Sequence, residues 1–594
     1  MKKQRVIHIA GAIVSFICTL ILVNKVFNGG YVVIPGNTFV ITLLTIGIFV
    51  LLIKFVLQNK EMLSLRLLSL IVVTSMVYSF ALVVGRQFAQ NGTIWIDFDV
   101  ISVGGCVFVV VFITVAALYQ IFVHKYAKIE YVEAMPSKKF YFVFWIIIII
   151  CWIPAFLAMF PGNYSYDASP QVAQIFRDHQ LNAHHPVLHT LLLDGCLAIG
   201  NVLCGDYNVG VAIYSVLQGL ILSAIFAFFL YKLCMWNVNL KIIGVCCAFF
   251  SLNPFIQIFA FTTTKDTLFS GMLLLVSVFC VDLIRDTESF FENKKGELAF
   301  IIVIVLMCLL RNQGKYMLLF SIPFLVLCVK KYRKRLLIIL VISLCIVQAL
   351  LGPVSNAMGI VKGDAREMFC VPMQQLARVY SLNPKSFSEQ DKELLKKLIP
   401  EEYLERYDEY TADPVKAGFN TEVFESDTLE YLLLWIRTGI DNPKMYIESF
   451  LAGSYQYWYI GPRSYAYDAV FYDGAFLDEK NNILGIKRNC LFKGYDEYLR
   501  SVSMTFSFVH LPVISIILDM GFPFWLAVFA AFLLVGLRKA KYLGVFILPI
   551  MYWGTCLIGP VAMYRYALPM IVCVPMFGSV IFVAKETDNN NEDA

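Results

Sequence analysis

Long apolar runs separated by short polar breaks organise this chain. A helix that spans a bilayer needs about 20 mostly apolar residues, and runs near 6–26, 37–57, 64–84, 100–123, 140–160, 208–231, 241–260, 266–284, 297–313, 315–330, 335–353, 510–536, 542–560 and 563–584 predict about fourteen of them. Lys2, Lys3 and Arg5 precede the first run, and no small-x-small cleavage site follows it, so it reads as a retained anchor with a cytoplasmic N-terminus. The basic residues then alternate from loop to loop. Lys60 and Arg66; Lys125, Lys128, Lys138 and Lys139; Lys232 and Lys241; Arg285, Lys294 and Lys295; the cluster from Lys330 to Arg335; and Arg538, Lys539 and Lys541 fall in predicted cytoplasmic turns. Pro186 to Leu203 would break that alternation if it crossed. Interrupted by Asp194 and Gly195, it is read instead as a juxtamembrane helix on the outer surface.

The predicted architecture is an all-α polytopic membrane protein with a mixed, mainly helical extracytoplasmic domain. Residues 1–139 form an N-terminal four-helix segment, 140–353 a membrane core with an outer loop at 161–207, and 506–586 a three-helix C-terminal segment. The charged, aromatic-rich stretch 354–505 is the outer domain, and 587–594 is a polar tail expected to be disordered. Within the outer domain, Ser388-Glu-Gln-Asp391 predicts a capped helix start, and Leu394, Leu395 and Leu398 follow at helical spacing. Tyr455 to Tyr459 with Tyr465, Tyr467, Phe471 and Tyr472 reads as an interfacial aromatic belt or a sugar-stacking surface.

Composition sharpens this picture. The 594 residues are 59% hydrophobic and 15% charged, against roughly 45–50% and about 25% in a soluble globular chain. A net charge of +5, from 48 Lys and Arg against 43 Asp and Glu, is too balanced for a nucleic-acid binder. Most of the 16 cysteines lie in apolar runs and none has CxxC spacing, which suits small buried hydrophobes rather than metal ligands. Cys370 and Cys490 belong to the outer domain, where an oxidising compartment would permit a bridge.

Four predicted outer loops carry groups that need a reason. The first contains Tyr166-Asp167 and then His184-His185-Pro186 with His189. Asp167 either caps a short helix, with the histidines among headgroups, or puts a carboxylate and imidazoles into one site; HHxxxH has no second cluster to support a metal. Thr264-Lys265-Asp266 is squeezed between two apolar runs, where each ionisable group costs roughly 2.5–3.5 kcal/mol, so the pair self-neutralises or faces a polar cavity; the cavity is favoured. Arg311-Asn312-Gln313-Gly314 and Tyr564-Arg565-Tyr566 repeat the pattern at other hairpins, as site residues or as snorkelling anchors. A lipid phosphate held by Lys265, Arg311, Arg565 and the histidines, with Asp167 as general base for an attacking hydroxyl, describes glycosyl transfer from a lipid-phosphate sugar.

On these residues the chain resembles the GT-C superfamily of integral membrane glycosyltransferases, which includes the protein O-mannosyltransferases and aminoarabinose transferases. The likeness is strongest over about residues 140–330. Asp167 matches that superfamily's catalytic acid and His185-Pro186-Val187 its His-Pro-Pro motif, with Val for the second Pro. Lys265-Asp266 resembles its second polar loop, and Arg565-Tyr566 with Pro569 its late element near the lipid phosphate. The chain is also similar to an uncharacterised family of bacterial polytopic membrane proteins with YD, HHP, KD, RN.G and P.QQ.AR motifs, the last being Pro372 with Gln374, Gln375 and Arg378 here. Those three either reach the site or build the outer domain.

The resemblance implies a GT-C-like fold and an inverting transferase in the cytoplasmic membrane, both termini cytoplasmic and the active site extracytoplasmic. Its partners would be a polyprenyl-phosphate-linked sugar, an extracytoplasmic acceptor (envelope glycan, glycolipid or protein) and the bilayer. Asp167 would be the base; His184, His185, Lys265, Arg311 and Arg565 would hold the donor phosphate; Tyr166, Asp266, Tyr566, Gln374, Gln375 and Arg378 would support them. No cofactor is expected, and the single acid favours a metal-independent reaction over one using a divalent metal. The alternative is a non-enzymatic lipid-linked glycan carrier or flippase.

Overall fold

A computed structural model of the chain describes residues 13–14, 18, 38–127, 137–363, 365–461, 482–511 and 513–592. Its regular elements are helical, and among the described residues β pairing is confined to isolated bridges such as Asn163 with Thr262 and Asn182 with Val361. The predicted first span lies almost wholly outside the described residues, as do Tyr465, Tyr467, Phe471 and Tyr472. Two compact units are present: Met1–Glu130 with Trp458–Tyr465, and Tyr131–Tyr457 with Ala466–Ala594.

In the first unit, α1 (Thr38–Gln58), α2 (Leu65–Asn91) and α3 (Phe98–Ala127) follow in sequence. Gln120 ties α3 to the end of α1, its amide donating to the carbonyls of Val56 (3.2 Å) and Asn59 (2.9 Å). The Tyr459 ring lies where a β-carbon at Gly85 would stand, so that ring is buried rather than displayed.

The second unit begins with a series of helices. They are α4 (Lys139–Met159), α5 (Ala168–Phe176), α6 (Val187–Cys204), α7 (Tyr207–Met235), α8 (Leu240–Leu252), α9 (Pro254–Ala260) and α10 (Lys265–Arg285). Then come α11 (Lys294–Leu310), α12 (Gly314–Cys328) and α13 (Arg333–Ala349). Helices α6 and α7 fold back on each other across the left-handed Gly205, and Asp206 caps α7 by accepting from Asn208 N at 2.8 Å. Gly200 and Gly210 let the two backbones meet: a β-carbon on Gly210 would stand 2.5 Å from Leu197 Cα. Far from the loops that carry the conspicuous polar motifs, Asp282 of α10 receives Lys232 Nζ at 2.7 Å and Trp236 Nε1 at 2.9 Å, locking the ends of α7 and α10.

Nine helices among the described residues are long and apolar enough to cross a membrane, ten if the bent pair α8–α9 is one span. The 20-residue template predicts about fourteen runs, the first of which lies almost wholly outside the described residues; several of the others are bent or shorter than a full span for local reasons. The run at 241–260 bends by 55° at Asn253-Pro254, because Pro254 has no N–H to continue the first helix and the Asn253 side chain caps the second. Helix α12 and the C-terminal α18 (Phe522–Gly536) have 15 residues each, about 22 Å against a core of about 30 Å. The predicted run from 510 starts its long helix only after Gly521, with Pro523 in the first turn; short turns at Ser507–His510 and Ile514–Ile517 precede it. Conversely α6, expected to lie on the surface, satisfies the length and composition of a span. Large exposed apolar side chains such as Ile146, Ile150, Ile338 and Val341 stud α4 and α13, a surface that water would reject and a bilayer accepts. The protein is a helical, multi-pass membrane protein.

The insertion domain is helical among its described residues, not mixed. Ser388 caps Glu389–Leu398 as predicted, accepting from Asp391 N at 3.1 Å. Leu395 and Leu398 then join a core with α14 (Cys370–Leu382), α15 (Thr428–Asp441) and α16 (Pro443–Ser454). Cys370 and Cys490 are free thiols. The C-terminal segment contains α17 (Lys493–Ser503), α18, α19 (Ile547–Leu557), α20 (Tyr564–Val572) and α21 (Val574–Glu592). The last helix continues through residues expected to be a disordered tail, as extension of a formed helix needs no new nucleus.

The α6–α7 contact yields a prediction. Gly210→Ala forces a methyl onto the Leu197 backbone and should destabilise the fold by about 1–3 kcal/mol, read as a lower thermal midpoint in detergent. Gly195→Ala, on the same hairpin with nothing within 4 Å of the new carbon, should leave the midpoint unchanged.

Candidate functional site

Two loops distant in sequence are stitched together where their helices end. The loop after α4 runs alongside the turn before α10: Asn163 N donates to Phe261 O (2.8 Å) and Thr263 N to Asn163 O (2.9 Å). Ser165 donates twice more to Thr263, its N to Oγ1 (2.8 Å) and its hydroxyl to the carbonyl (2.6 Å). Gly162, at φ +155°, passes so close to Ser215 that no side chain would fit. These bonds bring Asp167, at the start of α5, beside Lys265, at the start of α10.

Asp167 stands at the N-cap position of α5, yet its side chain makes no cap bond. Its Oδ2 instead accepts from Lys265 Nζ at 2.9 Å and from Arg565 Nη1 at 2.7 Å. Asp266, fully buried, takes Arg311 Nη1 on Oδ1 and lies 3.5 Å from Arg565 Nε through Oδ2. Aromatic faces complete the enclosure. The Arg565 guanidinium lies 4.7 Å from the ring centres of Tyr166 and Tyr566, and Arg311 lies 5.1 Å from those of Tyr552 and Tyr566. Arg565 Nη2 also donates to Tyr566 Oη at 2.7 Å.

Burial pushes the Asp167 carboxyl upward, but the Arg565 and Lys265 cations beside it prevail and hold it well below the usual carboxylate range. His185 lies on the other side of Lys265, with Nδ1 3.1 Å from Nζ. An ammonium only donates, so Nδ1 is the acceptor and the proton of the neutral ring sits on Nε2. Burial, reinforced by Lys265, pushes this imidazole down to about 3. His184 is exposed and packs edge-on against His185, while the Asn312 amide secures the chain there by donating to Ala183 O (3.1 Å) and His184 O (3.3 Å).

The third histidine diverges. His189 is fully buried between Gln171 Oε1 and Tyr214 Oη, each 2.7 Å from a ring nitrogen, so HHxxxH does not converge on one point. Tyr214 donates on to Gln218 Oε1 (2.6 Å), and the Gln218 amide clamps the end of α9 through the carbonyls of Phe259, Ala260 and Thr262. Among the described residues no three His, Cys, Asp or Glu side chains gather in a metal-binding set. Gln171, Tyr214, Gln218 and Tyr552 are thus part of the site's framework and were not singled out from sequence. Gln218, a polar residue four places after Tyr214 in an apolar run, was the available signal.

The motif of α14 lies in the insertion domain. Arg378 Nη2 pairs with Glu448 (2.8 Å), Gln375 bonds Trp435 Nε1 (2.8 Å) and Tyr446 O (3.2 Å), and Gln374 donates to Asp408 O (2.7 Å) and Thr411 O (2.9 Å). Tyr455 and Tyr457 are buried, which corrects the expectation of a displayed aromatic surface for those rings. Polar partners at the hydroxyl let a tyrosine go inside, as Tyr457 does through the carbonyl of Val561.

The pH dependence of stability follows from His185. Below about pH 6.5 an unfolded histidine takes up a proton that the folded ring refuses until about pH 3, so stability falls with pH through that window. Asp167, held low, loses its contribution only below its unfolded value of about 3.9. His185→Gln should therefore flatten the acid-side decline between about pH 4 and 6.5, by at most about 1.4 kcal/mol per pH unit. Thermal midpoints against pH would check it.

No curated protein and no solved structure matches the chain. A family model matches residues 176–594, which begins after Asp167 and takes in His184, His185, Lys265, Asp266, Arg311 and Arg565. On that match the chain belongs to a family of unknown function, DUF6020.

Proposed function

We propose that this protein is a GT-C-type membrane glycosyltransferase that moves a sugar from a polyprenyl-phosphate donor to an extracytoplasmic acceptor with inversion. One observation carries the reading. Lys265, Arg311 and Arg565, from three separate segments, meet Asp167 and Asp266 in a buried, aromatic-walled cluster. With His185 neutral, three cations face two carboxylates and one positive charge is left over. A phosphodiester joining a polyprenol to a sugar carries one negative charge and would balance it. As the sugar leaves, the phosphate gains a second charge, so the same cations would favour the transition state over the bound donor.

In this reaction the acceptor oxygen forms a bond to the anomeric carbon while the bond from that carbon to the phosphate oxygen breaks. Polyprenyl phosphate departs with the electron pair, and the acceptor's proton passes to Asp167. A carboxylate gripped by two cations is a weak base. A donor phosphate competes for Lys265 and Arg565, however, and each contact it takes returns basicity to Asp167, so the base is strengthened only when donor is bound. His185, with its Nε2 proton, supplies a neutral donor to a phosphate oxygen.

Asp167→Asn tests the role directly. The variant should bind a prenyl phosphate at least as tightly as wild type, since a competing negative charge is gone, while transfer falls by about 10²–10⁴-fold. Lipid analysis of cells that carry it should find accumulated polyprenyl-phosphate sugar and the loss of one envelope glycan modification. A donor pool and a modification both at wild-type level, with the variant expressed, would favour the carrier or flippase reading instead.

A further inference from the structure

Arg565 follows a helix-free turn, Ile558–Met563, between α19 and α20, and that turn is held from the insertion domain. Ala412 N donates to Pro560 O at 2.7 Å, and Thr411 forms a bridge with Val561. The Tyr457 hydroxyl bonds twice to the same turn: it donates to Val561 O at 3.3 Å and accepts from Met563 N at 3.2 Å. Tyr457 is buried, and its own carbonyl is secured by Trp553 Nε1 at 3.3 Å. Behind it, Gln374 braces the facing loop through the carbonyls of Asp408 and Thr411. Met563 immediately precedes α20, whose second residue is Arg565, and its sulfur accepts from Tyr166 Oη at 3.6 Å.

We infer that Tyr457 is a positioning residue for Arg565: its hydroxyl fixes the Val561–Met563 turn, and so sets where α20 begins and where the guanidinium meets a phosphate. This rests on the phosphate-binding reading of the cluster above. It also gives the insertion domain a part in donor binding, through a clamp on the turn, separate from any contact of its own with an acceptor. The physical reason is that a buried N–H and a buried carbonyl share one hydroxyl. Without it both go unpaired, and the turn relaxes to recover partners at the expense of the Arg565 register.

The test uses the full chain in detergent, with farnesyl phosphate as probe and farnesol as its uncharged counterpart. Tyr457→Phe should weaken farnesyl phosphate binding about three- to tenfold and leave farnesol binding unchanged. Tyr446→Phe is the control. It removes a partly buried hydroxyl bond, to Trp435 O at 2.7 Å, inside the insertion domain and away from the turn, and should match wild type for both ligands. Arg565→Lys reports on the phosphate site itself and should bind farnesyl phosphate more weakly. If Tyr457→Phe binds like wild type while Arg565→Lys is weakened, the positioning role is overturned and the phosphate reading stands. If Arg565→Lys also binds like wild type, the phosphate reading falls and takes this inference with it. Equal losses in Tyr457→Phe and Tyr446→Phe, or a matching loss for farnesol, assign the effect to packing and overturn the inference.

Discussion

Charges taken out of water must be paired, and around Asp167 and Asp266 that requirement governs the arrangement of the second unit. Lys265, Arg311 and Arg565 each satisfy a carboxylate contributed by a different stretch of chain or a different helix turn. Removing Asp266 would leave Arg311 buried without its carboxylate, at a cost of about 3–5 kcal/mol. The network is not an economical way to hold a fold together, because well-packed hydrophobic residues of similar volume would serve as well or better. Under the proposed function, the network is the resting state of a site that receives a donor phosphate.

The surroundings are consistent with that view. Neutral hydrogen-bonded groups, rather than more charge, locate the loops: Asn163, Ser165 and Thr263 join the two polar turns, and His189, Tyr214 and Gln218 secure the end of α9 beneath them. The Gln218 amide and the Ser165 hydroxyl satisfy carbonyls that the helix breaks had left open, and His189 and Tyr214 hold Gln218 in place. Above the cluster the insertion domain contributes bonds to the turn before α20, so the position of Arg565 depends on residues more than a hundred places earlier in the chain.

The membrane helices divide by burial. Helix α10 and the stretch Tyr564–Ala584 are enclosed along most of their length, whereas α4 and α13 present apolar side chains outward. The enclosed helices are the ones that begin at the charged cluster. A helix surrounded by protein can start in a polar turn, since its neighbours can satisfy the groups that lipid would leave unpaired.

Sequence alone was enough for the helical, multi-pass character, because hydrocarbon admits only apolar runs of limited length and such runs are visible in a single chain. It also marked Asp167, His185, Lys265, Asp266, Arg311 and Arg565, since ionisable groups at the ends of apolar runs are costly enough to stand out. It located the capped start at Ser388 through the local chemistry of a helix end. Tertiary structure decided what depends on distance: which carboxylate each cation meets, that His189 turns away from His185, and that Tyr457 and Gln374 hold turns rather than line a surface. It also decided where apolar runs stop being full spans, as at Asn253-Pro254 and before Pro523. Hydropathy adds up along the chain and is legible there; hydrogen bonds and ion pairs join residues as far as 398 positions apart, and only the folded chain brings them within reach.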